Sequence, residues 1–231
     1  MKANSPENPE KAAFLHLRKF DPLLHAKALP HRGSIYSRVQ PKYTNAALFE
    51  SLVSSIVSQQ LSTKAAQSIF TRLKAACGGR ITPAGILSTS TFVLRGAGLS
   101  TSKVRSLVEL SEAIQSKKLN LLKLKTRTAD EAVSELTAIY GIGAWTAEMF
   151  LIFALGAPDV FSPGDLILDR QMREALALPA SVSKKELARI AERWSPHRSF
   201  ISLLFWKLHH VALDAELAAK NAVVAKTKST K

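Results

Sequence analysis

Two short stretches of this chain combine residue types that can do chemistry. In Leu136-Thr-Ala-Ile-Tyr-Gly-Ile-Gly-Ala-Trp-Thr-Ala147, two apolar helical segments flank a tight Gly141-Ile142-Gly143 turn. Glycine tolerates positive φ, and without a Cβ it lets backbone amides come close to a ligand. The helix after the turn begins with unpaired N–H groups and a positive dipole end, which suits a phosphate oxygen. Further on, Ser162-Pro-Gly-Asp165 sets one carboxylate just past a Pro-Gly turn, at the expected start of another helix. Taken singly, each feature has a plain structural explanation: a helical hairpin that needed two glycines, and an aspartate N-cap. A backbone grip for phosphate beside a lone acid, however, fits chemistry on a nucleic acid.

The composition agrees. Among 231 residues, 32 Lys+Arg against 18 Asp+Glu give a formal charge of +14. Such an excess suits a polyanion, either nucleic acid or an anionic membrane surface. No run approaches the ~18 apolar residues of a membrane span, and the polar N-terminus lacks the apolar core of a signal peptide. A membrane role is not expected. The single cysteine, Cys77, excludes an internal disulfide and any cysteine-rich zinc or iron–sulfur site. It sits at an expected helix end and reads as a small structural residue.

Helices must position the hairpin and the acid, because the apolar periodicity is helical nearly throughout. Phe49, Leu52, Val53, Ile56 and Val57 form one stripe on a helix of about residues 46 to 59. Ser62 can cap the next helix, with Ala66, Ile69, Phe70 and Leu73 as its core face. Thr128-Ala-Asp-Glu131 and Ser183-Lys-Lys-Glu186 carry the capping-box pattern. Pro196-His-Arg-Ser199 opens a last long helix through Ile201, Leu204, Phe205 and Leu208. Period-2 alternation is essentially absent, so the fold class is all-α. The expected arrangement is one two-lobed domain over residues 1–220, with a cleft between lobes. About 50–160 form a central helical lobe, the N-terminal segment joins about 165–215 in the second, and 221–231 are a basic, disordered tail.

The hairpin string together with Pro163-Gly-Asp165 and Pro196-His-Arg-Ser199 resembles the helix-hairpin-helix DNA glycosylases that carry a Gly/Pro-rich loop and a catalytic aspartate. It is most similar to their 3-methyladenine DNA glycosylase II branch. The resemblance covers roughly residues 45 to 210. It implies a DNA glycosylase that flips a damaged base out of duplex DNA and hydrolyses its N-glycosidic bond, starting base excision repair. The expected substrates are N-alkylated purines such as 3-methyladenine and 7-methylguanine. On the family's motif Asp165 is the catalytic acid; Asp159 and Asp169 flank it but fall outside the signature. Gly141, Ile142, Gly143 and Thr146 would hold the DNA backbone. Trp145 occupies the position where relatives that also cut the strand have a nucleophilic lysine, so this chain is expected to be monofunctional, without AP-lyase activity.

The same resemblance places Trp145, Met149, Phe161 and Trp206 around the flipped base. Phe150, Phe153 and Trp194, at helical spacing, read as core, and no role is assigned to His209 or His210. Ser58-Gln-Gln-Leu-Ser-Thr-Lys-Ala-Ala66 matches the segment that wedges into the base stack, with Gln60 and Leu61 as candidates. Lys64 and Arg198 are candidate phosphate contacts. No cofactor is expected beyond a structural Na+, K+ or Mg2+ ion at the hairpin carbonyls of Tyr140 and Ile142, and no metal is expected on side chains. Two departures stand out: Tyr140 replaces the proline of many relatives, and Leu166-Ile-Leu-Asp-Arg-Gln-Met172 differs from the usual continuation after the acid. The second leaves open a catalytically weak or inactive binder of damaged or abasic DNA on the same scaffold. The expected partner is double-stranded DNA with damaged bases, bound by a monomer in a bacterial cytoplasm or nucleoid or a eukaryotic nucleus.

Overall fold

The computed structural model describes residues 9–228, and every regular element among them is helical. In chain order the α-helices are α1 (Pro9–Phe20), α2 (Pro22–Ala28), α3 (Asn45–Ser58), α4 (Thr63–Ala76), α5 (Pro83–Ser88), α6 (Thr91–Gly96), α7 (Thr101–Gln115), α8 (Ala129–Thr137), α9 (Ala144–Phe150), α10 (Leu166–Leu176), α11 (Lys184–Ala191) and α12 (Arg198–Lys228). They divide into two compact units. One is the continuous stretch Val39–Ala157; the other joins the residues up to Arg38 with those from Pro158 onward. Among the described residues no helix is long and apolar enough to cross a membrane.

Hydroxyl caps define most helix starts. Thr44, Ser62, Thr82, Ser90 and Ser100 each accept a hydrogen bond from the amide three residues on. Such caps contribute typically ~1 kcal/mol each. Thr128 with Glu131, and Ser183 with Glu186, form the two reciprocal capping boxes expected from their spacing.

In the continuous unit α3 is the central helix. Leu48, Phe49, Leu52, Val53, Ile56 and Val57 are all buried, and α4, α7 and α9 pack around them. Truncating a fully buried phenylalanine such as Phe49 costs about 3–5 kcal/mol. The stripe on α4 is narrower than expected: Ala66 and Leu73 are buried, whereas Ile69 and Phe70 are only half-covered.

In the other unit, Phe200, Ile201, Leu203, Leu204 and Phe205 turn one face of α12 into the core. Trp194 is fully buried, its ring 5.8 Å from that of Phe205. A buried indole needs an acceptor for its N–H. Asp21 supplies it: Oδ2 lies 3.0 Å from the Trp194 Nε1 and 2.9 Å from an Arg193 nitrogen. Oδ1 of the same carboxylate caps α2 by accepting from the Leu24 amide. One side chain therefore ties the α1–α2 segment to the chain entering α12. The expected disordered tail from residue 221 is corrected by α12, which runs on to Lys228. Its alanine-rich end, Ala-Glu-Leu-Ala-Ala-Lys-Asn-Ala, has high intrinsic helix propensity. Residues 229–231 lie outside the described residues.

Candidate functional site

The hairpin lies between α8 and α9. Its tip is closed by the Ile142 amide donating to the Ile139 carbonyl at 3.1 Å, and the Ile142 side chain plugs inward, fully buried. The two glycines do different work. Gly141 has φ +80, and a Cβ built there would stand 2.1 Å from Ser106 Oγ on α7. Only glycine fits. Gly143 has an ordinary φ of −85 and serves as the N-cap of α9, its carbonyl accepting from the Ala147 amide. At Gly143 the missing side chain leaves the surface open, with nothing within 4 Å of where a Cβ would stand.

The α3–α4 connection is tied to this hairpin. Gln59 Nε2 donates to the Gly141 carbonyl at 3.0 Å and, more weakly, to Thr146 Oγ1 at 3.4 Å. Thr146 is buried, so its hydroxyl faces Gln59 inside the unit. Lys103 Nζ donates to the carbonyls of Val57 and Gln59 at 2.7 and 2.8 Å. It caps the C-terminal end of α3, where a cation is favoured, and burial lowers its pKa. The wedge candidates follow directly. Gln60 has φ +57 and is exposed; Leu61 is also exposed. A non-glycine residue in the left-handed region costs of order 1–3 kcal/mol and concentrates at functional sites. Lys64 is exposed in the first turn of α4. Trp145 is 50% exposed on α9, and Met149, one turn on, is half-buried.

Gln59 and Lys103 were not singled out in the sequence. Gln59 stands next to the wedge candidates, which is a signal of a kind; Lys103 reads like any helix-face lysine until α3 and α7 are packed.

The acid belongs to the other unit. Asp165 is the N-cap of α10 and is 7% exposed. Its Oδ1 accepts from the amides of Ile167 and Leu168 at 2.9 and 3.0 Å, and from the indole Nε1 of Trp206 at 3.2 Å. The carboxylate is thus fixed in orientation by two elements, the first turn of α10 and the third turn of α12. Trp206, expected to stack on a base, places its indole N–H on the acid. Phe161, the other aromatic expected around the base in this unit, is buried with its ring 6.1 Å from that of Trp194. It belongs to the core.

The neighbouring acids have different partners. Asp159 is gripped by Arg198, whose Nε lies 2.7 Å and Nη2 3.0 Å from its two oxygens, and by Ser195 Oγ at 2.7 Å. Burial pushes the Asp159 pKa up, but the hydrogen bonds from Arg198 and Ser195 outweigh it and leave the carboxyl below its ordinary value. Arg198, expected at a phosphate, therefore closes the turn into α12. Asp169 pairs with Arg173 one turn along α10. Among the described residues no cluster of His, Cys, Asp and Glu side chains could hold a metal ion.

Comparison with known proteins places the chain among DNA repair proteins. Residues 53–197 match the model of the HhH-GPD superfamily base excision DNA repair proteins. The chain is 34% identical over 167 residues to DNA-3-methyladenine glycosylase 1 of Schizosaccharomyces pombe, covering 71% of this chain and 73% of that protein. Among solved structures it is similar to DNA-3-methyladenine glycosidase from Bacillus halodurans, with a TM-score of 0.65 and 35% identity over 81% of this chain and 88% of that one. It is also similar to the S. pombe 3-methyladenine DNA glycosylase in complex with abasic DNA, with a TM-score of 0.65 and 29% identity over 85% of this chain and 95% of that one.

Proposed function

Because the chain belongs to the HhH-GPD superfamily of base excision DNA repair proteins, we propose that it is a monofunctional DNA glycosylase, acting as a monomer to release N-alkylated purines from duplex DNA. The observation that carries this reading is the Asp165 carboxylate, nearly buried at the start of α10 and held by the Ile167 and Leu168 amides and the Trp206 indole. Cleavage of an N-glycosidic bond builds positive charge on the deoxyribose as the base departs. A carboxylate fixed near C1′ stabilises that charge without reorganising, and orients the attacking water.

The continuous unit supplies the DNA grip. The Gly141–Gly143 backbone and the first amides of α9 hold a phosphate, positioning the duplex without reading its sequence. Flipping the nucleotide costs a few kcal/mol of unstacking and unpairing; Gln60 or Leu61 fills the gap, on a connection braced by Gln59 and Lys103. Trp145 offers its half-exposed ring to the base. An alkylated purine is cationic, and an aromatic face attracts a cation by roughly 0.5–2 kcal/mol. The tyrosine and isoleucine carbonyls at 140 and 142 accept no hydrogen bond among the described residues, so a Na+, K+ or Mg2+ ion fits there, adding positive charge beside the phosphate.

Trp206 is a positioning residue in this scheme. Trp206→Phe keeps the apolar ring and removes an N–H from Asp165. A hydrogen bond to a charged group contributes about 1.5 kcal/mol, so base release slows about tenfold at unchanged KM. Single-turnover kinetics against substrate titration measure that split.

The test of the function is release of free 3-methyladenine and 7-methylguanine from methylated duplex DNA. The product strand stays intact with an abasic site, and borohydride traps no covalent enzyme–DNA adduct, because Trp145 has no amine to form a Schiff base. One observation favours the second reading, a catalytically weak or inactive binder: Leu166, directly after Asp165, is 80% exposed. Tight binding to abasic-site duplex with no base released would establish that reading instead.

A further inference from the structure

The hairpin face carries a cluster that the scheme above leaves unused. Arg105 lies in the second turn of α7, where Glu109 Oε1 accepts from its Nε at 2.8 Å. The guanidinium carbon sits 3.8 Å from the centre of the Tyr140 ring. The other Glu109 oxygen accepts from the Tyr140 backbone amide at 3.0 Å. Arg105 and Glu109 line, with Thr137 through Gly143, an open concavity of about 540 Å3 beside the hairpin tip.

An exposed i,i+4 ion pair is ordinarily a solvated helix face, but three features set this pair apart. The Tyr140 ring against the guanidinium restricts the side chain, so less freedom is lost when it binds a ligand. Glu109 is held at both oxygens, by Arg105 Nε and by the Tyr140 amide, and these hydrogen bonds keep its pKa below the usual carboxylate range. Among the described residues Nε is the one guanidinium nitrogen with a protein acceptor. Both terminal nitrogens are left for something outside. The departure at position 140 belongs to this arrangement, since proline offers neither the amide that Glu109 accepts nor the ring that Arg105 covers.

We infer that Arg105 is a second DNA-backbone contact, presenting its terminal N–H groups to a phosphate adjoining the one gripped by the hairpin amides. The inference rests on the DNA-binding part of the proposed function. Phosphates recur about every 3.4 Å of helix axis along one strand, so a neighbour of the hairpin-bound phosphate comes within reach of a side chain lining the same concavity. Arginine is the residue whose planar fork matches phosphate oxygens bidentately.

The experiment is the salt dependence of full-chain binding to two duplexes, one containing an abasic-site analogue and one undamaged. The variants are Arg105→Ala, Arg105→Lys and the double variant Arg105→Ala/Glu109→Gln, each checked for an unchanged melting temperature. Losing one phosphate contact lowers the magnitude of the log–log slope by about 0.9. Arg105→Ala shows that loss on both duplexes, and Arg105→Lys keeps the slope with weaker binding. The double variant keeps the loss, because the missing term is a phosphate contact. A wild-type slope in Arg105→Ala overturns the inference while leaving the glycosylase intact. So does a double variant that regains the wild-type slope, since Arg105 would then only neutralise Glu109. A wild-type protein with no salt-dependent binding to either duplex overturns the DNA-binding reading and this contact together.

Discussion

Asp165→Asn binds abasic-site duplex as tightly as the wild type, while its release of methylated purines falls about a hundred- to a thousandfold. The variant separates charge from shape. Asparagine has the size of aspartate, and its side-chain oxygen can accept from the same Ile167, Leu168 and Trp206 N–H groups. Asparagine and aspartate are also about equally good N-caps, so α10 keeps its start and the melting temperature changes little. What disappears is the negative charge that faces the developing cation on the sugar. Asp165→Ala behaves differently, because the cap goes as well and stability falls by about 0.5–2 kcal/mol. Base release, duplex affinity and thermal melting measured on the two variants decide the matter. Full turnover by Asp165→Asn would remove Asp165 from catalysis and leave it a helix cap.

Gly141→Ala loses most duplex binding and destabilises the protein, through two separable effects. An alanine forced to φ +80 costs about 1–2 kcal/mol. The added Cβ also collides with Ser106 Oγ, which is buried and donates to the Ser102 carbonyl at 2.9 Å; overpacking of that kind costs about 1–3 kcal/mol. The backbone must shift, and with it the amides proposed to grip a phosphate and the carbonyl that holds Gln59. Ser106→Ala removes the colliding oxygen, so the double variant Gly141→Ala/Ser106→Ala recovers the steric part and retains the φ part. Denaturant melts of the four proteins in this cycle give the coupling directly. Additive effects would mean that Ser106 does not set the requirement for glycine at 141. Gly143→Ala is the control: its φ of −85 and open surroundings admit a methyl without a clash, so only the N-cap preference is lost, about 1 kcal/mol at most.

Several features were legible from local rules. The stripe on α3, the boxes at Thr128 and Ser183 and the Ser62 cap depend on residues three or four apart, and all appear as expected. Asp165 at a helix start was readable for the same reason, since a Pro-Gly turn followed by an apolar run leaves little else for the carboxylate to do locally. The aromatic residues were less legible. Phe161 and Trp206 have the same apolar character whether they face a base, a core or a carboxylate. Their partners, Trp194 and Asp165, are brought to them by chain reversals that periodicity does not record. Arg198 and Asp159 likewise looked like two independent charges, and the turn between them makes them one ion pair.

By itself the sequence determined the all-α class, most helix starts, the glycine turn and the acid after Pro-Gly, because these follow from interactions within one or two helical turns. Only the tertiary structure decided which glycine is obligatory, through a serine on α7 that no local pattern connects to it. It also decided that Gln59 and Lys103 brace the α3–α4 connection, and that an indole on α12 hydrogen-bonds the carboxylate at the head of α10. The physical reason is the same in each case. A buried donor or a missing Cβ takes its meaning from the atom opposite, and that atom is supplied by packing between helices far apart in the chain.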